Sequence, residues 1–319
     1  MWENDKKSGK GIYVFASGGR YDGYFHEVIA ASPRARSRAR ARRSHRGLAI
    51  QNNIEGKGIF RFANGALYKG EFKQNKKHGR GVYTWNTTNV YKGEFALDKL
   101  SGLGEMTYHT TGHHYKGMWA NNMKDGRGLF KYSDGNIYDG EFKDDVMHGW
   151  GKFTWVPGSI LEESYAGEWE RGRRHGRGCY TYRANEDMEK YDGDWYDGLR
   201  HGRGMLKFQD GGYYKGDFDM ERMHGRGLFV WPDGSQYEGQ WKKNVRHGEG
   251  TYLSASGTIY RGRFWKNMRH GPGVLTYLNG NSYEGVWELD NIKGMGRYTL
   301  LAGSEMDEAE KVHLKVFGY

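Results

Sequence analysis

Seven histidines each stand immediately before a Gly-x-Gly triplet: His78, His148, His175, His201, His224, His247 and His270. A row of imidazoles suits zinc binding or proton transfer. If each lies in its own β-hairpin, however, equivalent side chains in adjacent hairpins are two strands, or ~9.6 Å, apart. Zinc needs its ligands about 2 Å from one centre, so no metal site is expected and the histidines are assigned to turns. The Gly-x-Gly pairs suggest phosphate cradles. They lack the third glycine and helix of a dinucleotide fingerprint and the Gly-Lys-Ser/Thr ending of a Walker loop. Cys179, the single cysteine, sits at a strand position held elsewhere by Ile12, Val82 and Leu228, and reads as a small hydrophobe rather than a nucleophile. Carboxylate pairs such as Glu162/Glu163 read as surface charge. No catalytic residue and no cofactor are assigned, and a non-enzymatic chain is expected.

Charge adds one local feature. Residues 32–47 hold seven arginines and no acid: Arg34, Arg36, Arg38, Arg40, Arg42, Arg43 and Arg46. The net charge of +10 falls to +3 without them. The arm lies in an insertion assigned to residues 27–55. Dense like charge and a lack of aromatic rings predict a disordered loop. Its plain readings are a solvated insertion or translated noncoding sequence; its functional reading is an arm for an anionic partner such as tubulin tails, an acidic lipid face or RNA. No specific nucleic-acid recognition is expected from a body so weakly basic.

The element that positions these residues is a repeat. Of 319 residues, 51 are Gly and only 4 Pro, and 15% are aromatic although the mean hydropathy is −0.93. A chain this polar and this rich in rings must sort its apolar groups by position. Tyr-x-Gly-x-(Phe/Trp) begins at Tyr21, Tyr68, Tyr91, Tyr115, Tyr138, Tyr165, Tyr191, Tyr214, Tyr237, Tyr260 and Tyr283. From Tyr68 onward, Gly-x-Gly follows 11 residues after each tyrosine. Two further positions of the same parity are almost always apolar, with Ser254 the exception.

Alternate residues of a strand share a face. Each unit is therefore expected to be a β-hairpin with one face of rings and glycines and one of charges such as Lys69/Glu71 and Asp192/Asp194. The glycines leave room for rings from neighbours. The turn is placed at residues 74–78 and its equivalents. One hairpin alone is unstable in water, but stacked hairpins bury each other's rings. Twelve units at two strands each predict an elongated, twisted, single-layer antiparallel sheet roughly 115 Å long. Its ring face, lacking a second layer, is expected to hold a partner's amphipathic helix or extended segment. The central rings Tyr191, Trp195, Tyr214 and Trp241 are assigned to that groove. On the charged face, Ile12, Ile59, Val82, Leu129, Cys179, Met205, Leu228 and Val274 form a second apolar stripe. That stripe reflects either β-propensity or another contact surface.

These motifs, YxGx(F/W)…HGxG…(D/N)G, resemble the MORN repeat over residues 1–303. The resemblance implies single-layer twisted sheets, as in ciliary radial spoke heads, protist cytoskeletal scaffolds and junctophilins. It also implies modules like those attached to lipid kinases and to a lysine methyltransferase. The function expected from it is a structural scaffold or protein-interaction ribbon of a ciliary or flagellar axoneme or related cytoskeletal assembly. Its partners would be other proteins of that assembly, with a second copy of the chain a further candidate. The alternatives are a phospholipid-binding membrane tether and a regulatory subunit of an enzyme such as a lipid kinase. With no signal-peptide pattern and no apolar run near the ~20 residues of a membrane span, the expected location is cytoplasm and cytoskeleton, the axoneme foremost. The first unit shows no Tyr-x-Gly strand, so either the sequence is short at its N-terminus or an exposed edge strand opens the sheet. Residues 304–319 leave the period and are expected to form a short C-terminal cap of a helix and a strand.

Overall fold

A computed structural model gives the architecture and describes residues 2–3, 6–7, 9–27, 52–86, 88–303 and 305–306. Every regular element among them is a β-strand. Apart from residues 305–306, the expected cap lies outside the described residues, as does the arginine arm from Arg34 to Arg46. The chain divides into two compact units, Met1–Met147 and His148–Tyr319.

In the first unit, Trp2–Glu3 pairs with Lys6–Lys7. The longer strands are Gly9–Val14, Arg20–Glu27, Asn52–Arg61, Leu67–Lys73, Lys76–Thr84, Val90–Ala96, Lys99–Tyr108, His113–Ala120, Met123–Lys131 and Ile137–Lys143. Each pairs antiparallel with the next. Glu27 pairs with Asn52 and Phe25 with Ile54, so the hairpin claims for its strands both ends of the segment assigned to the insertion. The second unit begins inside the strand Val146–Trp155. It continues through Glu163–Glu170, Arg173–Thr181, Met188–Tyr196, Leu199–Phe208, Tyr213–Asp219, Arg222–Val230, Gln236–Lys242, Val245–Leu253, Ile259–Trp265, Met268–Thr276, Ser282–Glu288 and Asn291–Thr299. Here too, each strand pairs antiparallel with its successor.

The tyrosine explains the glycines. Tyr68 lies across Gly70 of its own strand and Gly81 of the hairpin partner: a Cβ on either would sit 2.4–2.5 Å from the phenol oxygen. The ring that fills the glycine space is thus the hairpin's own tyrosine. Its hydroxyl donates to the Glu71 carbonyl at 2.9 Å, and the same bond recurs at Tyr191 and Tyr214. The rings then interlock edge to face. Tyr191 meets Trp195 at 5.2 Å and Phe218 of the next hairpin at 5.1 Å; Tyr214 continues to Phe218 and Trp241. Such pairs add about 0.5–1.5 kcal/mol each beyond their buried area, which is how a single layer builds a core.

The turn is tighter than expected. Gln74 and Asn75 both have positive φ (51° and 66°), the type I′ geometry that matches strand twist. His78 therefore belongs to the strand Lys76–Thr84, opposite Glu71, and not to the turn. The second turn residue also clamps the preceding hairpin. Asn244 donates its N–H to the Met223 carbonyl at 3.0 Å and accepts the Met223 N–H on Oδ1 at 2.7 Å. Asp98 does the same to Lys77, and Asp290 to Arg269.

Burial raises the phenol pKa of Tyr237 and Tyr260 from 10.0 to about 12. Below pH 10 both folded and unfolded phenols are neutral, and the fold loses nothing. As pH rises from 10 towards 12, the unfolded chain ionises first and stability falls. Tyrosinate absorbance from these buried phenols is therefore expected to appear late and together with loss of the β-sheet spectrum. A full phenol titration near pH 10 with the sheet intact would contradict this.

Candidate functional site

The four rings assigned to a partner groove are core. Tyr191 and Tyr214 are 0% exposed, Trp195 3% and Trp241 5%. They lie side by side as expected, but a partner reaches them only through what covers them. Over Trp195 and Tyr191 the cover is the cations Arg174 and Arg200, members of a row one residue before the histidine position that Leu100, Met147 and Met223 interrupt. The Arg174 guanidinium stands 4.4 Å from the Trp195 ring centroid and that of Arg269 4.1 Å from Trp287. Lys77 and Lys124 lie over Tyr83 and Phe130. Turn acids pin several of them: Arg200 Nε to Glu221 at 2.6 Å, Lys77 Nζ to Asp98 at 3.1 Å and Lys124 Nζ to Asp145 at 2.8 Å. Burial pulls the Arg174 and Arg246 pKa below the ordinary guanidinium value. The sequence reading missed this row, although a long basic residue before His-Gly, repeated between ring positions, was its visible signal.

The charged face is also more structured than a solvated surface. The first glycine of a pair sits at a bulge, as at Gly202 with φ 61° and Gly225 with φ 59°. A bulge leaves one N–H outside the ladder. The acid at the fourth motif position takes it: Asp194 Oδ2 accepts from Arg203 N at 2.8 Å, and Asp217 Oδ2 from Arg226 N at 2.9 Å. Where that position is Arg263, which cannot accept, the bulge residue is Pro272, which has no N–H to donate. Across to the next hairpin, Arg177 pairs with Asp194 at 3.0 Å and Arg203 with Asp217 at 3.8 Å; in the reversed case Arg263 pairs with Glu249 at 2.7 Å.

The histidines stay one per hairpin. His175 and His247 pack against Tyr196 and Trp265 at 5.3 and 4.8 Å. No group of three metal-ligating side chains is brought together among the described residues. Cys179 is a half-buried free thiol on the charged face, opposite Ala166 and Asp192. Ser254 breaks the apolar rule because its hydroxyl accepts the Thr258 N–H at 3.0 Å in the turn.

A wide open space of the second unit lies on this charged face. A groove of about 1470 Å³ runs across its hairpins over a floor of paired glycines, including Gly204/Gly216, Gly227/Gly239, Gly250/Gly262 and Gly273/Gly285. Met205, Leu228 and Val274 of the second apolar stripe line it. Smaller concavities on the ring face, about 750 Å³ in the second unit and 440 Å³ in the first, are bounded by the cation row and outer rings such as Tyr252 and Tyr83.

The MORN repeat signature matches residues 1–20, 50–67, 68–90, 91–111, 115–137, 138–160, 165–185, 191–213, 214–236, 237–259, 260–282 and 283–303. No curated protein matches the chain. Among solved structures it is similar to the TCP10 domain of Danio rerio CPAP, at 11% identity over 76% of this chain and 99% of that one, with a TM-score of 0.29. It is also similar to the SAS-4 TCP domain of Drosophila melanogaster, solved with a proline-rich motif of Ana2. The identity there is 12% over 80% of this chain and 99% of that one, with a TM-score of 0.18. Scores this low carry nothing further about the present chain.

Proposed function

The chain belongs to the MORN-repeat family, and from that premise we propose that it is a non-enzymatic scaffold that binds other proteins along its sheet. The observation that carries this reading is the open groove on the charged face of the second unit, continuous over several hairpins and floored by backbone and apolar side chains. Many polar groups serve as braces: acids on bulge N–H groups, cations on rings, hydroxyls on turns. We assign the scaffold to a cytoskeletal assembly, the ciliary or flagellar axoneme foremost, of the kind that radial spoke head and protist MORN proteins build.

Two measurements test it. Immunolocalisation separates axoneme, cell cortex and cytosol; an axonemal signal is expected, and a purely cytosolic one contradicts the assignment. In pull-downs from ciliated cells, Leu228→Glu in the groove floor should lose partners that Lys69→Glu, outside that groove, retains, with both variants keeping the β-spectrum. Partners kept equally by both would move the working surface elsewhere.

The arginine arm gives a separate expectation. Deleting residues 32–47 should leave the melting temperature nearly unchanged, because surface loops contribute little packing. It should remove a salt-sensitive part of the affinity for microtubules or acidic vesicles. Equal binding at low salt with and without the arm would leave it a solvated insertion.

A further inference from the structure

The groove in the second unit carries five charges in alternating order, one per hairpin: Asp192, Lys215, Glu238, Arg261 and Glu284. All five are exposed and line the same space. None has a hydrogen-bond, ion-pair or ring partner among the described residues. The neighbouring row, by contrast, is internally paired through Arg177–Asp194, Arg203–Asp217 and Arg263–Glu249. The strands between the free charges contribute Met205, Leu228, Thr251 and Val274, each directly opposite them in the ladder.

The sheet itself does not need this alternation. Successive members stand ~9.6 Å apart, near the screening length of exposed charges. In the first unit the same position runs Asp22, Lys69, Lys92, Lys116 and Asp139, with one sign in three hairpins running and no alternation from hairpin to hairpin. The alternation therefore points outward, to a ligand whose charges repeat at the hairpin spacing.

The spacing selects its conformation. A polyproline II helix turns once in three residues and rises ~9.3 Å, so every third side chain returns to one face in step with the hairpins. An α-helix comes nearest at seven residues, ~10.5 Å, and drifts ~20° off face each time. An extended strand covers the distance in about three residues, but an odd step sends successive charges to opposite faces. Resting on the scaffold reading above, we propose that this groove binds a polyproline II segment of a partner protein, about 13 residues long. Basic side chains would meet Asp192, Glu238 and Glu284, and acidic ones Lys215 and Arg261. The row reads the same from either end, so it fixes spacing and phase but not direction.

Fluorescence anisotropy on the full chain at low salt tests this with three proline-rich or helical peptides. One places Lys, Glu, Lys, Glu, Lys at every third residue; one carries the same five residues at those positions in the order Lys, Lys, Glu, Glu, Lys, which matches the row in no register; one is alanine-rich, with the first order at every seventh residue. The first should bind about tenfold tighter than the reordered peptide, as several exposed pairs of a few tenths of a kcal/mol each allow. The variant Lys215→Glu/Arg261→Glu, altering two unpartnered side chains, should instead prefer an all-lysine peptide of the same spacing. Equal binding of the matched and reordered peptides, or tighter binding of the helical peptide, overturns the proposal. No binding by any peptide, while the Leu228→Glu pull-down still loses partners, overturns the segment and leaves the scaffold standing.

Discussion

Trp195→Ala lowers the stability of its part of the second unit by roughly 3–5 kcal/mol, the range for emptying a buried aromatic site. Trp195 meets Tyr191 at 5.2 Å and Tyr165 at 5.3 Å, so truncation breaks the ring ladder in two hairpins at once. Its indole Nε1 donates to the Gly178 carbonyl at 3.0 Å, and removal leaves that acceptor unpaired. Arg174 loses the ring beneath its guanidinium as well. Because repeat arrays are coupled mainly to nearest neighbours, hydrogen exchange should quicken first in the strands from Glu163–Glu170 to Tyr213–Asp219. A loss below 1 kcal/mol, or one spread evenly over the chain, would contradict the ladder as the source of stability. Trp195→Phe, which keeps a ring but not the donor, should recover most of the loss.

Gly216→Ala should be at least as damaging, although it adds one methyl. The new Cβ would stand 2.5 Å from the Gly227 Cα and 2.5 Å from the Tyr214 hydroxyl oxygen. The tyrosine can move; the paired backbone cannot without parting the ladder. Overpacking ordinarily costs about 1–3 kcal/mol, and a backbone conflict belongs at the top of that range or above. Gly211→Ala, a turn position with φ 90° and open space around it, separates the causes, because only backbone strain acts there. Denaturant titration of the two variants checks this, and equal losses would show that the close approach of Gly216 to Gly227 is not the limiting contact.

The hairpins, their faces and the division into rings and charges were legible because strand alternation maps sequence parity directly onto a face. Tyr68, Gly70 and Phe72 could only share a side. The bulge was not legible in the same way. Its glycines suit either a turn or a strand, and only the pairing of Glu71 with His78 places them in the strand. For that reason Asp194 and Asp217 read as solvated charges, whereas they hold bulge N–H groups. Arg263 with Pro272 gave a partial clue, since acceptor and donor disappear from that hairpin together, but Met118 removes the acid where Arg127 keeps its N–H. The burial of Tyr191, Trp195, Tyr214 and Trp241 could not be read from a single-layer pattern. Arg174 lies over Trp195 and Arg200 over Tyr191, and a basic residue beside a histidine looks like surface charge in sequence.

The direction of the backbone hydrogen bonds has a mechanical consequence. In an antiparallel ladder they lie perpendicular to the strands, so within each unit they point from hairpin to hairpin. Tension applied along that line falls on the ladder and on clamps such as Asn244 with Met223, and not on the covalent chain. Clamps and ladder then give way one hairpin at a time. Each event frees 23 residues where the period is regular, as from Tyr214 to Tyr237, or roughly 80 Å of chain at full extension. Such an array yields to load in equal steps and keeps every hairpin outside the break intact.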